Sequence, residues 1–136
     1  MDEAVIKYYR TLLRTGFKYA GSLENPAIFL DSIGENLPIC GKLGQDYLHL
    51  FIDMRDDTIQ EIKYLCTCDP TANVVFEILC SMVIGKTISE VRSLNETAFT
   101  QVLNSRGEEF LKKSRGSLEL INRGLTRYQE HLPIKS

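Results

Sequence analysis

The amino-acid sequence predicts an α+β fold: a small antiparallel β-sheet of about three strands with helices packed on one face. Three observations carry that expectation. Leu48, Leu50, Ile52 and Met54 alternate with Tyr47, His49, Phe51 and Asp53, the period of a strand with one buried face. After the polar turn Arg55-Asp56-Asp57-Thr58, the run Ile59 to Cys66 is again rich in strand-favouring residues, so the two runs read as an antiparallel hairpin. On both sides of the hairpin, apolar residues recur at helical spacing.

Taken in chain order, Asp2 to about Thr15 forms an amphipathic helix through Val5, Tyr8, Tyr9, Leu12 and Leu13, with Asp2 able to cap its first turn. Gly16, Gly21, Asn25-Pro26 and Gly34 punctuate the next stretch of chain, within which Ile28 to Ile33 reads as an irregular or partly helical connection. Leu37 to Leu43 suggests a third strand turned by Gly44, with Pro38 confining it to a sheet edge. Beyond the hairpin, Asp69 caps and Pro70 opens a helix whose apolar stripe is Ala72, Val75, Phe76, Leu79, Met82 and Val83, stopped by Gly85. Thr87 and Glu90 make a capping box for a shorter helix carrying Ile88, Val91 and Leu94. Phe99, Val102 and Leu103 suggest another, and Leu118, Leu120, Ile121, Leu125 and Tyr128 a C-terminal one.

A chain of 136 residues with neither linker nor repeat reads as one domain, 1–136. Its 16 basic and 18 acidic residues leave a net charge of -2, without the basic footprint that nucleic-acid binding needs. No run approaches the roughly 18 apolar residues of a membrane span, and Met1-Asp2-Glu3 does not open a secretory signal, so a cytoplasmic, reducing setting is expected. There the Asn95-Glu96-Thr97 sequon is an accident of composition, and the four cysteines are free, metal-bound or reactive rather than bridged.

Those cysteines are unequal. Cys66 and Cys68 stand two apart at a strand end; if the strand runs to Cys68, both sulfurs face one side and can reach a single metal or cluster edge. Cys68 also precedes a helix N-terminus, whose partial positive charge favours the thiolate that ligates metal. A lone Cys-x-Cys is a weak motif, and two cysteines filling a strand end remain the competing explanation. Cys80 lies on the apolar helix face and reads as core, while Cys40 is undecided. Neither His49 nor His131 has a partner readable from sequence. Gly85-Lys86-Thr87 resembles the end of a phosphate-binding loop, but Cys80 stands where that motif needs its first glycine. With no Ser-His-Asp set, His-Glu-x-x-His helix or paired carboxylates in view, an enzyme is not expected.

The order of hairpin, cysteine loop, long helix ending in Gly-Lys-Thr and Ile-x-Glu-Val helix start resembles the NifU/IscU-type iron-sulfur cluster assembly scaffold family. Gly41 to Leu94 carries the likeness, best over Gly44 to Ile52 and Cys68 to Val91. The resemblance implies a scaffold that binds iron or an iron-sulfur cluster, takes sulfur from a cysteine desulfurase and passes the cluster to an acceptor. It also implies a ligand set. Asp46 matches the family aspartate and Cys68 its second cysteine, with Cys66 an addition to the pattern. Gly44 stands where the first cysteine belongs, leaving Cys40 as a possible substitute, and Lys113-Ser114-Arg115-Gly116-Ser117 holds neither member of the family's His-Cys pair. The incomplete set leaves two alternatives: a degenerate homologue working as a protein-interaction or regulatory module, and a zinc site made of the same cysteines.

Overall fold

A computed structural model describes residues 2–37, 39, 46–67 and 69–131. Asp2 begins the first helix, α1 (Glu3–Thr15), as the sequence predicts: its side chain accepts from the Val5 N–H at 2.9 Å, and Val5 and Leu12 are buried. The other Asp2 carboxylate oxygen accepts from the Ser105 hydroxyl at 2.6 Å, which ties this helix start to a loop far along the chain.

The sheet has three strands among the described residues, in the order β1-β2-β3 and antiparallel throughout. Strands β2 (Leu48–Arg55) and β3 (Thr58–Cys66) are the expected hairpin, turned at Asp56 with a left-handed φ of 56°. Strand β1 (Ile28–Asp31) corrects the reading of that stretch as irregular or partly helical. Four residues are too few for their alternation to stand out among turns, and they are extended because β2 offers a free edge, with Phe29 opposite Phe51 and Leu30 opposite Leu50. The third strand expected from Leu37 to Leu43 is not borne out where it can be followed, since Leu37 and Ile39 lie outside the strands. Pro38, Cys40 and residues 41–45 lie outside the described residues.

One face of the sheet is covered by helices, as the fold class requires. Leu48, Leu50, Ile52, Ile59, Ile62 and Tyr64 point inward and are almost fully buried, while Phe29 on the other face is half exposed. Helix α2 (Pro70–Val83), capped by Asp69 through a 2.9 Å bond from the Ala72 N–H, lies against β3, α1 and the C-terminal helix α5 (Glu108–Glu130) and is buried nearly all round. A helix apolar on every side is a core helix. Cys80 is fully buried there, as expected, and burial pushes its thiol pKa well up, with the Glu77 carboxylate adding to the effect.

After α2, Gly85 turns the chain at φ 81° and its N–H donates to the Ile59 carbonyl at 2.8 Å, while the Ile59 N–H donates to the Lys86 carbonyl at 2.9 Å. Gly85-Lys86-Thr87 thus seals the free edge of β3, and Thr87 then caps α3 (Ile88–Arg92) through the expected box with Glu90. Helix α4 (Glu96–Val102) starts at Asn95, whose side chain accepts from the Thr97 N–H. Helix α5 (Glu108–Glu130) begins well before the Leu118 start that the apolar pattern suggests. The inward face of its first half carries Phe110, Lys113, Ser114 and Ser117, so counting apolar residues misses it. Ser114 and Ser117 satisfy their hydroxyls on the helix itself, donating to the carbonyls of Phe110 and Ser114 at 2.8 Å.

Candidate functional site

The chemistry-bearing residues gather where β2 begins and β3 ends. Leu48 pairs with Cys66, and the ladder continues one step past the strands: the Thr67 N–H donates to the Tyr47 carbonyl and the Tyr47 N–H to the Thr67 hydroxyl oxygen, both at 3.0 Å. Asp46, immediately before Tyr47, is half-buried at a bend. Ser32, in the loop after β1, extends the pairing on the other side of β2: its N–H donates to the Leu48 carbonyl at 2.9 Å and its hydroxyl oxygen accepts from the Leu48 N–H at 3.0 Å.

Cys66 is the candidate ligand whose surroundings the structure describes most fully. It shares the inner face of β3 with Ile62 and Tyr64, is partly buried, and its thiol donates to the Asn73 side-chain carbonyl on the first turn of α2 at 3.5 Å. Asn73 is itself held by its side-chain amide, which donates to the Asp69 carbonyl at 3.2 Å. The structure therefore brings Cys66 and Asp46 to the same end of the hairpin. Cys40 and Cys68 lie outside the described residues. Among the described residues, no three or more His, Cys, Asp or Glu side chains are grouped as a metal site.

Sequence reading missed Lys113. Its side chain is only 5% exposed, and its ammonium donates to the Ile39 carbonyl at 2.6 Å while pairing with Asp69 Oδ2 at 3.4 Å and Glu109 Oε1 at 3.2 Å. Asp69 uses its other carboxylate oxygen, Oδ1, for the cap, so one side chain starts α2 and neutralises a buried cation. The available signal was a lysine within the inward stripe of a helix, next to Phe110 and Ser117 at helical spacing, a position that charged residues occupy only when paired.

Residues 113–117, to which the resemblance assigns the family's His-Cys pair, lie in the first turns of α5. Arg115 is exposed there and paired with Glu96. Gly116 faces Ile39, and a Cβ built on it meets the Ile39 Cγ1 at 3.4 Å, a contact that a small shift accommodates. Leu37, Ile39, Lys113 and Gly116 line a cavity of about 190 Å³. A larger cleft of about 500 Å³ lies at the opposite end of the sheet beside the hairpin turn, and its lining holds neither cysteine nor histidine. His49 is on the outer face of β2, 3.6 Å from Asp31 and packed among Phe29, Tyr47 and Phe51, on the other side of the sheet from Cys66. His131 follows the end of α5.

The sheet covered on one face, and the polar end built from β2, β3, α2 and α5, define an α+β protein of the NifU-like kind. The NifU-like N terminal domain family matches residues 18–133, and the chain belongs to that family. Solved structures agree on the fold. The N-terminal part of a nitrogen-fixing NifU-like protein from Brucella abortus superposes with a TM-score of 0.64 at 11% identity, covering 96% of this chain and 95% of that one. A putative iron-sulfur cluster assembly scaffold protein for the SUF system from Fervidobacterium islandicum AW-1 gives 0.54 at 16% identity over 93% and 94%. A hypothetical protein gives 0.61 at 17% identity over 89% and 98%. No curated protein matches the chain.

Proposed function

We propose that this protein is an iron-sulfur cluster assembly scaffold, on which iron or a cluster is held as cargo by cysteine thiolates. Its family membership and the scaffold named among its structural neighbours support the role. The observation that carries it is the convergence, at one end of the hairpin, of Asp46, Cys66 and the start of α2. The ligands in this reading are Cys66, Cys68 and Asp46, with Cys40 completing the set. Thiolates suit iron-sulfur clusters and carboxylates suit iron, so the donor types match the cargo. Metal binding draws the thiolate form, and Cys66 then exchanges its proton and its bond to Asn73 for the metal.

The role is that of a carrier rather than a catalyst. Its partners are a cysteine desulfurase and a cluster acceptor, and its setting is a reducing cytoplasm, where such thiols persist. Reconstitution with iron and sulfide without oxygen is expected to give a coloured protein with sulfur-to-iron absorbance. A colourless product, identical to that of the Cys66→Ser/Cys68→Ser variant, overturns the reading.

One observation favours a second reading. In the segment to which the resemblance assigns the family's His-Cys pair, the buried side chains are Lys113, Ser114 and Ser117, and the Lys113 ammonium is already satisfied by oxygens. A homologue that has lost cargo chemistry, and serves as a protein-interaction or regulatory module, fits that substitution. It predicts that replacing all four cysteines leaves partner binding intact. Metal analysis of protein purified without oxygen separates iron, zinc and no metal, and with them the scaffold, a zinc site on the same cysteines and the module.

A further inference from the structure

Cys66 ends β3 on the face that the helices cover, in line with Ile62 and Tyr64 and opposite Leu48 of β2. There its sulfur meets the first turn of α2, and the thiol donates to the Asn73 side-chain oxygen at 3.5 Å. The direction of that bond is fixed from the far side of Asn73. The side-chain amide nitrogen of Asn73 donates to the Asp69 carbonyl at 3.2 Å, and its main-chain N–H donates to the same carbonyl at 3.2 Å. A carbonyl oxygen only accepts, so the nitrogen of the Asn73 amide must face Asp69 and its oxygen must face Cys66. Turning the amide over would set two oxygens against each other at Asp69. Cys66 is therefore held through its S–H, as a donor.

Asp69 is anchored in its turn: Oδ1 accepts from the Ala72 N–H at 2.9 Å, and Oδ2 pairs with the buried Lys113 ammonium at 3.4 Å. A chain of polar contacts thus runs from α5 through the cap of α2 to the end of β3. Asparagine is a poor choice for a helix, and Asp69 already supplies the cap, so the helix itself gives no reason for Asn73. Its two-ended bonding does.

We propose that Asn73 is a positioning residue for Cys66: pinned twice to the Asp69 carbonyl, it takes the Cys66 S–H on its amide oxygen and parks the sulfur against the first turn of α2 until cargo claims it. The purpose of the parking rests on the scaffold reading, whereas its geometry is tested without cargo.

The test is infrared spectroscopy of the S–H stretch, which falls in frequency when the S–H donates. Subtracting the spectrum of Cys66→Ser from that of the otherwise unchanged protein isolates the Cys66 band. Asn73→Leu keeps the approximate shape of the side chain without its polar ends, and its Cys66 band, isolated in the same way, is expected at higher frequency. A band that stays in place overturns the proposal. The second readout is alkylation by N-ethylmaleimide, with fragmentation of the labelled peptide separating Cys66 from Cys68. Asn73→Leu is expected to raise the rate at Cys66 about threefold, the worth of one weak hydrogen bond. An equal or lower rate overturns the proposal. Cys80 is fully buried and is expected to keep its rate; parallel acceleration there means that Asn73 only holds the fold together, which also overturns it.

Asn73→Ala, with the best helix former in place, carries the same expectations should Asn73→Leu fail to fold. The two readings fail separately. A protein that stays colourless on reconstitution, yet shifts its Cys66 band in Asn73→Leu, loses the scaffold and keeps the parked thiol. A coloured protein whose Cys66 band ignores Asn73 does the reverse.

Discussion

Among the described residues, the loop after β1 is held to α5 at Glu35 and at Ile39, and the two attachments differ in material. At Glu35 the loop supplies a carboxylate, 13% exposed, which accepts from both terminal guanidinium nitrogens of Arg127, while Arg123 donates to the Glu35 carbonyl at 2.7 Å. Both arginines reach into solvent, Arg127 with 54% of its side chain exposed. At Ile39 the loop supplies only a backbone carbonyl, and the helix supplies a buried ammonium. About 21 Å of helix separates Lys113 from Arg127 at roughly 1.5 Å per residue. A pair whose arginine reaches into solvent opens at less cost, since water can take over the guanidinium. A buried donor cannot open so, and Ile39 is the more firmly held of the two points.

The packing beneath the two attachments differs in the same sense. Near Lys113, the large Phe110 is fully buried and meets Phe99 edge-on, with ring centroids 6.4 Å apart. Near Arg127, close approach depends on a missing side chain: a Cβ on Gly124 would come within 2.7 Å of Leu30 and 2.9 Å of Ile28. Helix α5 therefore touches β1 through glycine at one end and is anchored by an aromatic ring at the other.

Removing the ring should have the largest effect. Phe110→Ala is expected to cost about 3–5 kcal/mol, read from urea unfolding, because it leaves a cavity beneath the site end of α5. Gly124→Val tests the other end by overfilling it, and is expected to cost about 1–3 kcal/mol by pushing β1 away from the helix. A smaller loss there than for a surface substitution would mean that β1 yields freely. Lys113→Met, which leaves the Ile39 carbonyl without its charged donor, is expected to cost about 1.5–3 kcal/mol in the same assay. Glu35→Gln should cost less than Lys113→Met, and the reverse order would break the contrast between the two attachments.

The smallest effect is one of pH. The hydrogen bond from Arg127 holds the Glu35 carboxyl below its ordinary value of 4.5, with the nearby charge of Arg127 and the bond from Arg123 acting in the same direction. A carboxylate with a depressed folded-state pKa contributes stability above the ordinary value, and loses it as pH falls through the folded one. Thermal melts taken downward from about pH 6 should therefore show the native protein losing midpoint temperature below roughly pH 4.5 more steeply than Glu35→Gln. Parallel curves would mean that the Arg127 pair contributes nothing to folding.

Of the candidate site, Asp69 and Cys66 were legible because their signals are local. Asp69-Pro70 announces a helix start, and Cys66 ends a run of alternating residues. The same strand alternation could not show that the Cys66 thiol turns toward Asn73, because that depends on where α2 settles across the face. Lys113 left only its helical spacing from Phe110 and Ser117 as a signal, and a lysine amid serines looks like a solvated helix face until the burial of that face is known.

The sequence by itself determined the hairpin and the caps at Asp2, Asp69 and Thr87, which rest on residues within a few positions of each other, and the family resemblance, which rests on the order of such local features along the chain. Tertiary structure decided that Ile28–Asp31 is a strand, that α5 begins at Glu108, and that Lys113 is buried against Ile39 and Asp69. Each of these depends on a partner distant in the chain: β1 on the edge of β2, the polar half of α5 on the core it covers, and Lys113 on Ile39 and Asp69. Local patterns record what a segment prefers, whereas pairing across the fold determines which buried polar groups can be satisfied.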